Sequence, residues 1–92
     1  MRVLLVDDNA PVRKSLRQLI NLRDDFEVVG EGTNGEEAVK AVDELGPDIV
    51  LMDMNMPVMD GVEATKAIKK AHPEVQVLAL TAFADDSLVA NM

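Results

Sequence analysis

Three aspartates stand where short apolar runs stop. Val3 to Val6 is ended by the pair Asp7-Asp8, and Ile49 to Met52 is ended by Asp53. If both runs are strands lying side by side and pointing the same way, their carboxylates meet at one end of a sheet. Two unit charges 4 Å apart repel by about 4 kcal/mol at an effective dielectric near 20, so such a cluster calls for a cation. Carboxylate, carbonyl and water oxygens suit magnesium, which keeps several waters and takes one or two protein carboxylates. A carboxylate can also attack phosphorus and become an aspartyl phosphate. Asp53, standing alone, is the candidate nucleophile, and Asp7 and Asp8 are the candidate metal pair. Thr81 closes a further apolar run, where its hydroxyl can reach a phosphoryl oxygen, and Ala82 after it is small enough to let a phosphate approach the backbone.

Each residue also has a plainer reading. Asp7 and Asp8 can serve as N-cap and first-turn acids favoured by a helix dipole. Asp53 can be a turn residue ahead of Pro57, and Thr81 a hydroxyl bonded to local backbone. It is the joint placement, with every one of these residues at a strand end, that favours the chemical reading. Met52, Met54, Met56 and Met59 near the site read as adaptable packing, and the acids of the second helix, Glu36, Glu37, Asp43 and Glu44, as a solvated face. His72, ahead of Pro73, is expected to interact with the C-terminal end of the third helix in solvent.

The elements that must position these groups alternate regularly. After the first strand, Asn9 as N-cap, Pro11 in the first turn and Val12, Leu16, Leu19 and Ile20 at helical spacing predict a helix. Phe26 to Gly30 predicts a second strand with the turn Gly32-Thr33-Asn34-Gly35. A second helix follows, with Asn34 and Glu37 at capping-box spacing, a stripe of Ala38, Val42 and Leu45, and an end at Gly46-Pro47. The third strand, Ile49 to Met52, closes on Asp53, and Asn55 to Gly61 is a loop. Asp60 and Glu63 repeat the cap spacing for a third helix lined by Val62, Ala64, Ala67, Ile68 and Ala71. Val75 to Leu80 predicts a fourth strand, and Asp85-Asp86-Ser87 the start of a fourth helix. Strands alternating with helices call for an α/β fold, a doubly wound parallel sheet with right-handed crossovers.

Composition removes several function classes. The chain has 92 residues and a formal net charge of −8, which argues against its tracking a phosphate backbone directly. It has no cysteine and one histidine, so thiolate and multi-histidine metal sites are excluded. There is no membrane-spanning run and no signal-peptide layout, so a cytoplasmic location is expected.

The runs VLLVDD at the start, LMDMNMPVMDG around Asp53 and LALTA ending at Ala82 resemble the receiver domains of two-component response regulators. The texture of FEVVGEGTNGEEAV and ALTAF is most similar to the LuxR/NarL-type subfamily. The resemblance implies a flavodoxin-like sheet of order 2-1-3-4. It also implies that Asp53 accepts a phosphoryl group from a sensor histidine kinase. In that reading Asp8 and Asp53 ligate Mg2+ directly, the Asn55 carbonyl is a third ligand, Asp7 helps through water, and Thr81 is the switch hydroxyl. The chain is then a phosphorylated switch and not a turnover enzyme, and it reaches DNA only through a separate output domain.

The family pattern continues into a fifth strand ending in a lysine, then a fifth helix. Lys14, Lys40, Lys66, Lys69 and Lys70 all fall on the first three helices, and none takes that lysine's place. Residues 1–92 are therefore expected to be one truncated receiver domain. It is expected to self-associate through the edge of its fourth strand, the face lacking a fifth helix, or exchange of its C-terminal segment. Two rivals stand beside this reading. One is a self-associating module that never holds phosphate. The other is an aspartyl-nucleophile phosphatase, which would need a general acid where Asn55 stands.

Overall fold

The computed structural model describes residues 1–53 and 59–80, with the side chain of Leu80 left aside. Seven elements follow one another: β1 (Arg2–Val6), α1 (Ala10–Asn21), β2 (Glu27–Gly32), α2 (Gly35–Leu45), β3 (Ile49–Asp53), α3 (Gly61–Ala71) and β4 (Gln76–Leu80). The strands form one parallel sheet of order β2-β1-β3-β4, so strand order reverses between β1 and β3. The expected α/β class and strand order are both met. The expected fourth helix lies outside the described residues.

The continuous apolar strands are explained by burial on two faces. Leu4 and Val6 of β1 turn toward α2 and α3, where they pack with Ala38, Val42, Val50, Met52, Ala64 and Ile68. Val3 and Leu5 turn the other way and pack with Ile49, Leu16 and Ile20 beneath α1. Met52 is fully buried and Met59 packs against the first cluster, so both methionines act as core.

Helix starts follow the capping expectations. The side chains of Asn9, Asn34 and Asp60 accept from the backbone N–H groups of Val12, Glu37 and Glu63, satisfying donors that a helix start leaves free. Glu37 reaches back to Thr33, whose N–H and hydroxyl both donate to its Oε1 at 2.6 Å. These bonds hold the Glu37 carboxyl below its ordinary pKa. Gly46 ends α2 with φ at 58°, in the left-handed region where a side chain is strained.

Four expectations are corrected. The second strand runs from Glu27 to Gly32 and not from Phe26 to Gly30, because Glu31 and Gly32 pair with Leu5 and Val6 of β1 beyond a bulge at Val29. Leu19 lies on the rim of an apolar groove and is 62% exposed, since no described element covers it. Val62 and Ala71 are also exposed, so the buried stripe of α3 narrows to Gly61, Ala64 and Ile68. His72 does cap α3 through its backbone N–H to the Ile68 carbonyl, but its ring Nε2 lies 2.6 Å from Asp43 Oδ1. The imidazole therefore ties α3 to α2 and is not simply solvated.

Gly35 governs how α2 meets the entrance to α3. Its N–H donates to the Met59 carbonyl at 2.9 Å, and a Cβ built there would lie 2.4 Å from that oxygen. Gly35→Ala should therefore destabilise the chain by roughly 1–3 kcal/mol through overpacking against backbone. At Gly46 nothing lies within 4 Å of the built Cβ, and the cost of alanine there is backbone strain alone, roughly 1–2 kcal/mol. Urea unfolding followed by circular dichroism checks both. A stability within 0.5 kcal/mol of wild type for Gly35→Ala would show that the loop yields freely.

Candidate metal and phosphoacceptor site

The reversal of strand order opens a crevice at the carboxyl ends of β1 and β3, where open α/β sheets bind ligands. The register Val6↔Met52 makes Asp7 and Asp53 the next residues along adjacent strands, Asp7 just past β1 and Asp53 the last residue of β3. One carboxylate oxygen from each of Asp7, Asp8 and Asp53 lies within 4.8 Å of the others. Asp7 is 3% exposed and Asp53 8%, while Asp8 opens to solvent. The expected convergence is therefore present for all three aspartates. Asn55, Thr81 and Ala82, the other expected site residues, lie outside the described residues.

Asp7 is fixed on every side. Its backbone N–H donates to the Gly32 carbonyl at 3.0 Å, and its Oδ1 accepts from the Asn9 N–H at 2.8 Å. Its carbonyl accepts from Nη1 of Arg13 at 2.5 Å. Burial pushes the Asp7 carboxyl up, and the neighbouring charges of Asp53 and Asp8 push it the same way, against the lowering effect of the Asn9 bond. Burial and like charge both oppose ionisation, whereas the bond to the carboxylate favours it.

Such a donor set fits a small hard cation. Three carboxylates at this spacing offer oxygen ligands only, and the solvent-facing side of Asp8 leaves room for the waters that magnesium retains. A divalent ion would relieve the repulsion that raises the Asp7 carboxyl.

Arg13, Arg17 and Glu31 were not among the expected site residues. Glu31 lies on β2 and pairs with Nε of Arg13 at 2.9 Å, and also with Arg17. A signal was nonetheless present: Arg13 shares the helical spacing of Leu16 and Ile20, and Glu31 follows Val28, Val29 and Gly30 within β2. A charge on each facing stripe is the pattern of a pair bridging helix and sheet.

Comparison with known proteins places these features in context. The response regulator receiver domain family matches residues 3–92. The transcriptional regulatory protein LnrK of Bacillus subtilis is 46% identical over 91 residues, covering 99% of this chain and 41% of that protein. The response regulator protein VraR of Staphylococcus aureus is 48% identical over 89 residues, covering 97% and 43%. The chain thus spans less than half the length of these curated relatives. Among solved structures, the response regulator domain of Thermotoga maritima CheB superposes with a TM-score of 0.86 at 40% identity, over 91% of this chain and 62% of that one. A LuxR-family response regulator from Aurantimonas sp. gives 0.84 at 36% identity, over 98% and 66%.

The electrostatics of Asp7 have a consequence for stability. A carboxyl whose pKa is raised by folding favours the native state when protonated, and that advantage is lost as pH rises through the folded pKa. Without metal at neutral pH, Asp7→Asn should therefore stabilise the chain, by on the order of 1 kcal/mol. The gain should shrink as pH falls through the raised pKa of Asp7, because the wild-type carboxyl is then neutral as well. Thermal unfolding in EDTA across pH 4 to 8 measures this, and a destabilised Asp7→Asn at pH 7 would contradict it.

Proposed function

The chain belongs to the response regulator receiver domain family, and from that premise we propose that it is a phosphoacceptor switch whose reactive group is Asp53. The observation that carries the reading is the burial of Asp53 at the strand-order reversal, with carboxylate oxygens of Asp7 and Asp8 within 4.8 Å. A carboxylate oxygen of Asp53 attacks the phosphorus of a phosphohistidine on a sensor histidine kinase. The P–N bond breaks, an acyl phosphate forms, and the departing imidazole takes a proton. Asp8, Asp53 and the Asn55 carbonyl would hold Mg2+ directly, and Asp7 would contribute through water. When bound, the ion offsets charge on the phosphoryl oxygens. Thr81 would supply the hydroxyl that bonds the transferred group, and Ala82 would be the small residue beside it.

The chain's own residues do the rest of the work. Burial of Asp53 removes competing water, and the rigid β1–β3 register holds the nucleophile in line with its acidic neighbours. The product is a modified aspartate on the protein itself, so the chain is a switch and not a turnover enzyme. Its setting is cytoplasmic. Among the described residues no helix is long and apolar enough to cross a membrane. The curated relatives are transcriptional and response regulators more than twice as long as the matched region, which supports control of a DNA-binding output domain in a longer protein.

Acetyl phosphate with magnesium should add the mass of one phosphoryl group to the wild-type chain and none to Asp53→Asn. Intact-mass spectrometry reads this. Equal labelling of the two proteins would move the acceptor elsewhere, and no labelling of wild type would remove the proposed activity from this chain.

Self-association is proposed alongside, on a different observation. An apolar groove of about 290 Å³ runs between α1 and the sheet, lined by Leu19, Ile20, Phe26, Ile49, Leu51 and Leu78. Leu78 sits on β4, an outer strand of the sheet among the described residues, and is 51% exposed. Covering such surface against a second copy removes apolar area from water. Sedimentation velocity should show association that grows with concentration in wild type and is lost in Leu78→Lys. A monomer throughout would refute it.

A further inference from the structure

Arg13 occupies an unusual place for an arginine. It lies in the second turn of α1 with its side chain 15% exposed, in the angle between that helix and the sheet. Its guanidinium spends two donors in different directions: Nε on Glu31 Oε1 at 2.9 Å, and Nη1 on the Asp7 carbonyl at 2.5 Å. Glu31 is itself fixed in β2, its side chain 21% exposed and gripped by Arg17 as well. Helix α1, strand β2 and the end of β1 are thus joined through one planar cation.

The carbonyl that Arg13 holds belongs to the peptide linking Asp7 to Asp8. The neighbouring peptides are constrained as well: the Val6–Asp7 peptide, whose Asp7 N–H donates to the Gly32 carbonyl at 3.0 Å, and the Asn9–Ala10 peptide, whose Asn9 carbonyl accepts from the Arg13 N–H at 3.1 Å. A peptide is planar, so fixing its carbonyl fixes the direction in which the next residue leaves. That next residue is Asp8, the exposed member of the acidic set. Importantly, the guanidinium's named contact at the site is with the backbone oxygen, and the groups acting on the Asp7 carboxyl are Asn9, Asp53 and Asp8. The arginine therefore braces the loop through the Asp7 backbone.

We propose that Arg13, held in place by Glu31, is a positioning residue for the acidic site, orienting the Asp7–Asp8 peptide so that Asp8 and Asp53 face one cation. The proposal rests on the reading of this site as a magnesium-dependent phosphoacceptor. Its chemistry demands a fork: a charge-assisted bond to a carbonyl and a second to a carboxylate, at a fixed angle. Lysine carries the charge but not that geometry. Outer partners of metal ligands commonly change affinity by about 10- to 100-fold when removed, and the effect expected here is at the lower end because the partner holds backbone.

The test uses the 92-residue chain and magnesium alone, titrated by calorimetry and by the amide spectrum of the Asp7–Asn9 segment. Arg13→Lys and Arg13→Ala should each weaken magnesium binding about tenfold. Glu31→Gln, which keeps an oxygen for Nε to donate to, should stay within about threefold. Phosphorylation by acetyl phosphate should then require more magnesium in the Arg13 variants but approach the wild-type rate at saturation. Leu16→Ala, on the same helix and distant from the acids, serves as a stability-matched control and should bind magnesium as wild type does.

Wild-type magnesium affinity in Arg13→Lys would overturn the proposal. So would a loss in Leu16→Ala equal to that in the Arg13 variants, because destabilisation alone would then explain it. Should Arg13→Ala fail to fold, Arg13→Lys decides the matter. Failure of the underlying reading is distinct, since wild type would then bind no magnesium and accept no phosphoryl group.

Discussion

The parallel pairing of β1 with β3 is the constraint on which this molecule depends. Val3–Val6 of β1 and Ile49–Met52 of β3 are apolar and pack into clusters on both faces, so neither strand can shift by one residue without exchanging its two buried sets. Their register leaves Asp7 and Asp53 side by side at the carboxyl end. The core thereby forces together charges that repel. Hydrophobic packing supplies the free energy that holds the acids close, and the acids in turn form an oxygen donor set that fits a cation. Stability and chemistry are coupled through one pair of strands.

The surroundings of the acidic set manage that repulsion in different ways. Asp8 faces solvent, where water screens it. Asp7 is enclosed, but its carboxylate has the Asn9 N–H and its backbone groups have partners on β2 and α1. The strain appears as an elevated Asp7 pKa and not as an unsatisfied polar atom, since no described buried side-chain nitrogen or oxygen lacks a partner.

The two faces of the sheet differ in how fully they are covered. Beneath α2 and α3 the core is continuous, and the contact between those helices is reinforced by His72 with Asp43 and by the Gly35–Met59 bond. Beneath α1 the second cluster is smaller and borders the apolar groove. The chain spans 62% and 66% of two solved relatives with which it superposes closely, and less than half of the curated ones. The chain's length is therefore partial with respect to those relatives.

Much of the framework was legible in the residues themselves. Apolar runs of strand length, Asn9, Asn34 and Asp60 ahead of amphipathic stretches, and Gly46 before Pro47 carry local information that backbone physics reads directly. The aspartates were legible for the same reason: each stands where such a run stops. What sequence could not decide was which side chains share space across elements. The bulge at Val29, the exposure of Leu19 and Val62, the reach of His72 to Asp43 and the bridge from Arg13 to Glu31 and Asp7 all depend on the crossing of helix over sheet. Periodicity reports the direction of a side chain about its own element's axis, but not what that direction meets. The sequence by itself determined the elements and the acids at their ends. Only tertiary structure decided that these acids meet, because strand order and register are properties of the packed sheet and not of any segment within it.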